Sequence, residues 1–174
     1  MSGLSFTVTL YDAKPLAALA QVEDALDDLT VLFDGIGRAL VNSAVERIIQ
    51  TNTGPDGAAW EPSQRVKDHG GKTLHDTGEL SRSITHLAGP DRVVVGTNRP
   101  YARAMQVGAE RGEFGAAIGR TTPTAQRPWS QDYFTPLPWG DIPARPYLGI
   151  SSDDLATIGD LVELHISQIV GALQ

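Results

Sequence analysis

Few groups in this chain could move a proton or hold a metal: four histidines and twenty-one carboxylates, with no cysteine to join them. His69, His75, His86 and His165 have neither a Glu-x-x-His nor a His-x-x-x-His partner, the spacings that set two ligands on one helical face. No metal-ligand set and no cofactor motif follows from them. His75-Asp76, beside Thr77, invites a hydrolytic triad. Neighbours on a tight turn point in different directions, however, and no G-x-S-x-G elbow supplies a nucleophile. Asp76 and Thr77 are better suited to cap a following helical turn, with Glu79 in its first turn. The carboxylate pairs Asp27/Asp28 and Asp153/Asp154 fall on a helix face and a helix start, where solvation or the helix dipole accounts for them. Gly35-Ile36-Gly37-Arg38-Ala39 follows a helical pattern rather than a strand, so it lacks the geometry that cradles phosphates. A hydrolase using His75 and Asp76 remains as the enzymatic alternative to a non-catalytic role.

The charges bound the other function classes. Net charge is −7. Residues 1–60 carry eight acids and three bases, residues 61–150 nine and eleven, and residues 151–174 four acids and no Lys or Arg. Tight binding to nucleic acid needs clustered Lys and Arg to replace counterions on phosphates. Lys67, Lys72, Arg82, Arg92, Arg99 and Arg103 are the set a small DNA-binding module would use. An acidic surface repels DNA, which suits a channel that DNA slides through; it also simply keeps a protein in solution. With 174 residues, 41% hydrophobic and 20% charged, the chain suits a single globular domain, 1–174. No apolar run approaches the roughly 20 residues that span a bilayer. Met1–Leu10 lacks the basic-then-apolar pattern of a signal peptide, and cytosolic synthesis is expected.

The positioning elements follow from periodicity. Leu4, Phe6, Val8 and Leu10 alternate with polar residues, predicting a half-buried strand. Asp12 and Pro15 start a helix whose apolar stripe is Leu16, Leu19, Val22, Leu26 and Leu29, with Glu23, Asp24, Asp27 and Asp28 opposite. The period continues to about Gln50, as two helices or one kinked helix, with a break anticipated between Thr30 and Gly37. Thr51 to Gly71 reads as loop, anchored by Trp60. A capped turn over 76–84 leads into strands at 84–88 and 92–97, joined by Gly89-Pro90-Asp91. A short helix follows, in which Tyr101 and Met105 share a face and Gly108 is the stop. Residues 109–141 read as a long loop or arm, with Trp129, Tyr133, Phe134 and Trp139 interleaved with prolines. Such an arm can dock on another subunit or fold back on its own domain. A strand at 146–150 and a helix from Ser151-Ser152-Asp153-Asp154 to the C-terminus, packed on the sheet, complete an α+β fold: a small, mainly antiparallel sheet with helices on one face.

The order TGxLxxSI, strand, VGTNxxYAxxxQxG, then IPARPYLGIS resembles the phage virion morphogenesis family, which includes the Mu-type and P2-type tail completion proteins. More distantly it is similar to the neck and tail-completion proteins of long-tailed phages. The residues that carry it are Thr77, Gly78, Leu80, Ser83, Ile84, Val95, Gly96, Thr97, Asn98, Tyr101, Ala102, Gln106 and Gly108, then Pro143 to Gly149, with Pro55 to Pro62 upstream. The resemblance is weakest over 109–141. It implies a structural virion protein at the head–tail junction or tail end. A homo-oligomeric ring, expected to be hexameric, would complete the tail and join it to the connector. Its partners would be further copies of itself, the tail tube protein, the connector or stopper protein, and genomic DNA passing without sequence-specific binding; no membrane is involved. The alternative within this class is a neck adaptor or stopper on the capsid side. In a ring, Arg99, Tyr101, Arg103, Arg145 and the arm aromatics Trp129, Tyr133, Phe134 and Trp139 are the expected interface residues. Glu23, Asp24, Asp27 and Asp28 are the acids expected to face the DNA path.

Overall fold

The computed structural model describes residues 27–120, 132–138 and 140–171. The expected strand at 4–10, Glu23, Asp24, Trp129 and Trp139 lie outside them.

Helix α1, Thr30–Glu46, is the centre of the fold. It starts where Asp28 and Leu29 leave the helical path, and the Asp28 carboxylate accepts the Thr30 N–H at 2.9 Å. The interruption therefore precedes Thr30, and Asp34, Gly35 and Gly37 lie inside the helix rather than breaking it. Gly37 is used for close approach, whereas Gly35 has room for a methyl at ordinary contact distance. A Cβ on Gly37 would run into the His86 ring and come within 2.9 Å of Val93 Cγ2, and one on Gly35 would meet Leu161. At its C-terminus α1 widens into a π-helical turn, Arg47–Thr51, closed by Asn52 N–H donating to Arg47 O at 2.8 Å. Asn52 takes the left-handed conformation, which its short polar side chain tolerates: Nδ2 donates to Ile48 O and Oδ1 accepts Thr73 N–H.

One face of α1 carries an antiparallel hairpin, β1 (Thr85–Ala88) and β2 (Val93–Gly96). The register pairs His86 with Val95 and Leu87 with Val94. His86, Ala88, Val93 and Val95 are the more covered set, whereas Leu87 and Val94 are exposed. Along another face runs α5, Ser152–Gly171, which the sequence stripe had placed on the sheet. The correction has a local cause. Asp154 on the first turn of α5 is paired with Arg47 at the end of α1, and both are buried. Ser151 and Asp154 also form a reciprocal cap, with Ser151 N–H donating to Asp154 Oδ2 at 2.8 Å and Asp154 N–H to Ser151 Oγ at 3.2 Å. The result is a layer order of hairpin, α1, α5.

Three further expectations change. The stretch 51–71 is not all loop: α2, Gln64–His69, forms behind Ser63, whose Oγ accepts Val66 N–H. The segment 109–141 is not structureless. Within it β3 (Ala116–Arg120) pairs antiparallel with β4 (Asp132–Pro136), and Ala109 and Ile142 exchange N–H···O bonds of 2.9 and 2.7 Å at the base. Residues 146–150 run extended but form no strand, because their backbone groups are taken by side chains, as described below. The fold is α+β, with two small antiparallel sheets among the described residues. The core joins Ala44, Ile48, Trp60, Leu80, Ile84, Ala102 and Tyr147.

Candidate functional site

The residues with the most specific spacing converge. Helix α3, Glu79–Ser83, follows Gly78, which is left-handed at φ 76° and so needs no Cβ. Buried Leu80 points inward from α3. Helix α4, Ala102–Val107, presents Tyr101 and Met105 on its face toward the same space and stops at Gly108. A Cβ on Gly108 would come within 2.8 Å of Ile142 O, so glycine lets the two strands of chain touch.

Across from α4 lies Arg145-Pro146-Tyr147-Leu148-Gly149. Arg145 N–H donates to Met105 O at 2.8 Å, the one backbone anchor. Gln106 does the rest from α4: its Oε1 accepts Tyr147 N–H and Leu148 N–H at 3.0 Å each, and its Nε2 donates to Leu148 O at 2.8 Å. Trp60 Nε1 donates to Pro146 O at 3.2 Å. Arg47 Nη1 donates to Tyr147 O and Gly149 O at 3.2 and 3.0 Å. Buried backbone groups must find partners, and here side chains replace a neighbouring strand. Burial pushes the Tyr147 hydroxyl above its ordinary value, and Tyr101 adds to the shift. For Asp154, burial raises the pKa, but hydrogen bonds from Ser151 and Ser43 and the Arg47 charge outweigh it and hold the carboxyl low.

Between α2, α3, α4 and residues 141–145 is a groove of about 590 Å³. Leu74, Leu80 and Met105 give it an apolar floor and Tyr101 stands at its lip. Arg145 lines it at 6% exposure. Its Nε donates to Glu61 O at 2.8 Å. Burial lowers its pKa, and the Glu61 carboxylate acts in the opposite sense. Glu61 is held low chiefly by its hydrogen bond from Lys67, at 3.0 Å.

The predicted residues are distributed as follows. Tyr101 and Arg145 meet at the groove. Arg99 sits beside it, with Nη1 3.5 Å from Glu79 Oε2. Arg103 is exposed on α4. Tyr133 and Phe134 fall in β4, and Asp27 and Asp28 are exposed before α1. His75 and Asp76 are not a dyad: among the described residues His75 Nδ1 is buried without a partner, and Asp76 reaches toward Arg65 Nε at 3.7 Å. The basic set is largely engaged inside the subunit. Lys72 Nζ caps Ile49 O and Gln50 O, Arg82 donates to Thr77 O, and Arg92 lies by Asp91. Among the described residues no cluster of His, Asp and Glu could hold a metal, and no helix is long and apolar enough to cross a membrane. Sequence reasoning missed Arg47. Its neighbours Ala44 and Ile48 are core residues, but adjacent Glu46 offers a local counter-charge in the sequence, so nothing there called for a distant anion.

Residues 12–167 match the model of the phage virion morphogenesis family. A relative is protein G of Escherichia phage Mu, which carries a provisional name as a capsid assembly protein. It is 30% identical over 170 residues, covering 90% of this chain and 95% of the relative. No solved structure matches. With the family model covering most of the chain, and a relative 30% identical across nearly all of it, this protein belongs to the phage virion morphogenesis family.

Proposed function

We propose that this protein completes the phage tail. Copies close into a ring, taken as a hexamer, at the head–tail junction, joining the tail tube to the capsid connector while DNA passes through the lumen. The role is assembly and involves no catalysis. Family membership supports a virion morphogenesis role. The observation that carries the ring is the β1–β2 hairpin: among the described residues no third strand pairs with it, and it exposes the cross-strand pair Leu87–Val94 at 74% and 58%. A two-stranded sheet is marginal alone, and its open edges and apolar face are completed by further chain. A second copy presents the same surfaces. Exposed Asp27 and Asp28 are in keeping with an acidic lining that DNA does not adhere to.

A second reading, a neck adaptor or stopper on the capsid side, is favoured by the name of the Mu relative. Electron microscopy of the purified protein mixed separately with tail tubes and with connector-bearing heads separates the two. Rings capping tubes are the expected result. Decoration of connectors alone would favour the capsid-side reading, and a protein that joins neither would overturn both.

A further inference from the structure

We propose that the groove between α2, α3 and α4 docks an extended segment of another virion protein through a carboxylate and an adjacent apolar side chain, with Arg145 reading the carboxylate. The inference rests on the two unpartnered terminal nitrogens of one guanidinium. Arg145 is buried, yet only its Nε is satisfied, by Glu61 O at 2.8 Å. Among the described residues neither Nη1 nor Nη2 has a hydrogen-bond partner, and no carboxylate is within ion-pair distance. The acids that line the groove are already committed. Glu61 is held by Lys67 at 3.0 Å, Asp76 lies by Arg65 at 3.7 Å, Glu79 by Arg99 at 3.5 Å, and Asp141 accepts Arg111 N–H at 2.9 Å. The terminal nitrogens are not enclosed but open onto the groove, and their two N–H groups match the two oxygens of a carboxylate.

The apolar half of the ligand follows from the floor. Leu74, Leu80 and Met105 border the space into which Arg145 faces, with Tyr101 at the lip. About 590 Å³ holds a few residues of extended peptide and no folded element. A polyanion fits less well: Arg65 and Lys67 also line the groove but are engaged with Asp76 and Glu61, so Arg145 is the lining cation left to an anion, enough for a single carboxylate and not for a run of phosphates. The proposal adds a partner chemistry to the assembly role and does not depend on where the ring sits, because the isolated subunit carries the whole groove.

The test is an NMR titration of the full chain with two blocked peptides, acetyl-Leu-Glu-Leu-amide and acetyl-Leu-Gln-Leu-amide, following the Arg145 Nε–Hε and Met105 methyl signals. The Glu peptide is expected to shift both saturably, with an affinity at least about ten-fold above the Gln peptide, the margin of a charge-assisted pair. Arg145→Gln should remove that difference. The Glu/Gln contrast is made on the unaltered chain, so it stands even if Arg145→Gln fails to fold. Equal response to both peptides, or none, overturns the proposal. So does a shift of Arg145 Nε–Hε by short duplex DNA, which would make the site a phosphate site. A concentration-dependent shift without peptide also overturns it, by showing that a second copy fills the groove. Failure here with rings still capping tails would leave the assembly role standing.

Discussion

Asp154 and Arg47 show how one side chain can join distant parts of a fold. Asp154 has its pKa lowered although burial alone would raise it, so its hydrogen bonds and the Arg47 charge dominate. A carboxyl lowered in the folded state contributes stability that is complete above its ordinary value of 3.8 and is lost as pH falls through the lowered one. Asp154→Asn is therefore expected to cost about 3–5 kcal/mol at neutral pH, because Arg47 is left buried and unpaired. Its stability should also fall less steeply than the parent's between about pH 5 and pH 1. Urea unfolding across a pH series checks both, and an unchanged acid slope would show that Asp154 is not the titrating group. At this scale the sequence was least legible. Arg47 stands between Glu46 and the apolar pair Ile48-Ile49, so its burial could not be read from its neighbours. Nor could its partner, which lies 107 positions away beside Asp153, a residue of the same chemistry.

Elements with their own periodicity were the readable ones. α1, the β1–β2 hairpin, α4 with its stop at Gly108 and the start of α5 all follow from apolar spacing, turn residues and caps. The misread elements are those whose backbone partners are non-local. Residues 146–150 have a proline-imposed extended shape that suits a strand, but Gln106, Arg47 and Trp60 fill the ladder positions. The 109–141 segment hid a hairpin because its strands carry little alternation and are separated by prolines. α2 was missed because six residues between Pro62 and Gly70 hold too little periodic signal. Gly37 shows the opposite conflict, where packing overrides helix propensity. Gly37→Ala would gain up to about 1 kcal/mol of propensity. It would also drive a methyl into the His86 ring and to within 2.9 Å of Val93 Cγ2. A net loss of about 1–3 kcal/mol is expected in denaturant unfolding, as in other overpacked cores. A stabilised variant would mean that α1 and the hairpin can separate.

For the whole molecule, the question is which surfaces the subunit leaves for others. Leu87 and Val94 face outward from the hairpin, opposite the side that covers α1, so replacing them leaves the core alone. Leu87→Lys combined with Val94→Lys should change subunit stability by no more than about 0.5 kcal/mol. The same pair should abolish ring formation, read as a loss of high-mass species in light scattering with an unchanged melting temperature. Rings that survive would place the contact elsewhere. The tie between Arg145–Gly149 and the rest of the chain carries a different kind of consequence. Its clasps come from residues 100, 86 and 41 positions away, so its seating depends on α1, the Trp60 loop and α4 together. Without that tie the groove would lose Arg145 from its wall. On the proposed docking role, a partner that reads the groove would be blind to subunits in which this tie is not seated.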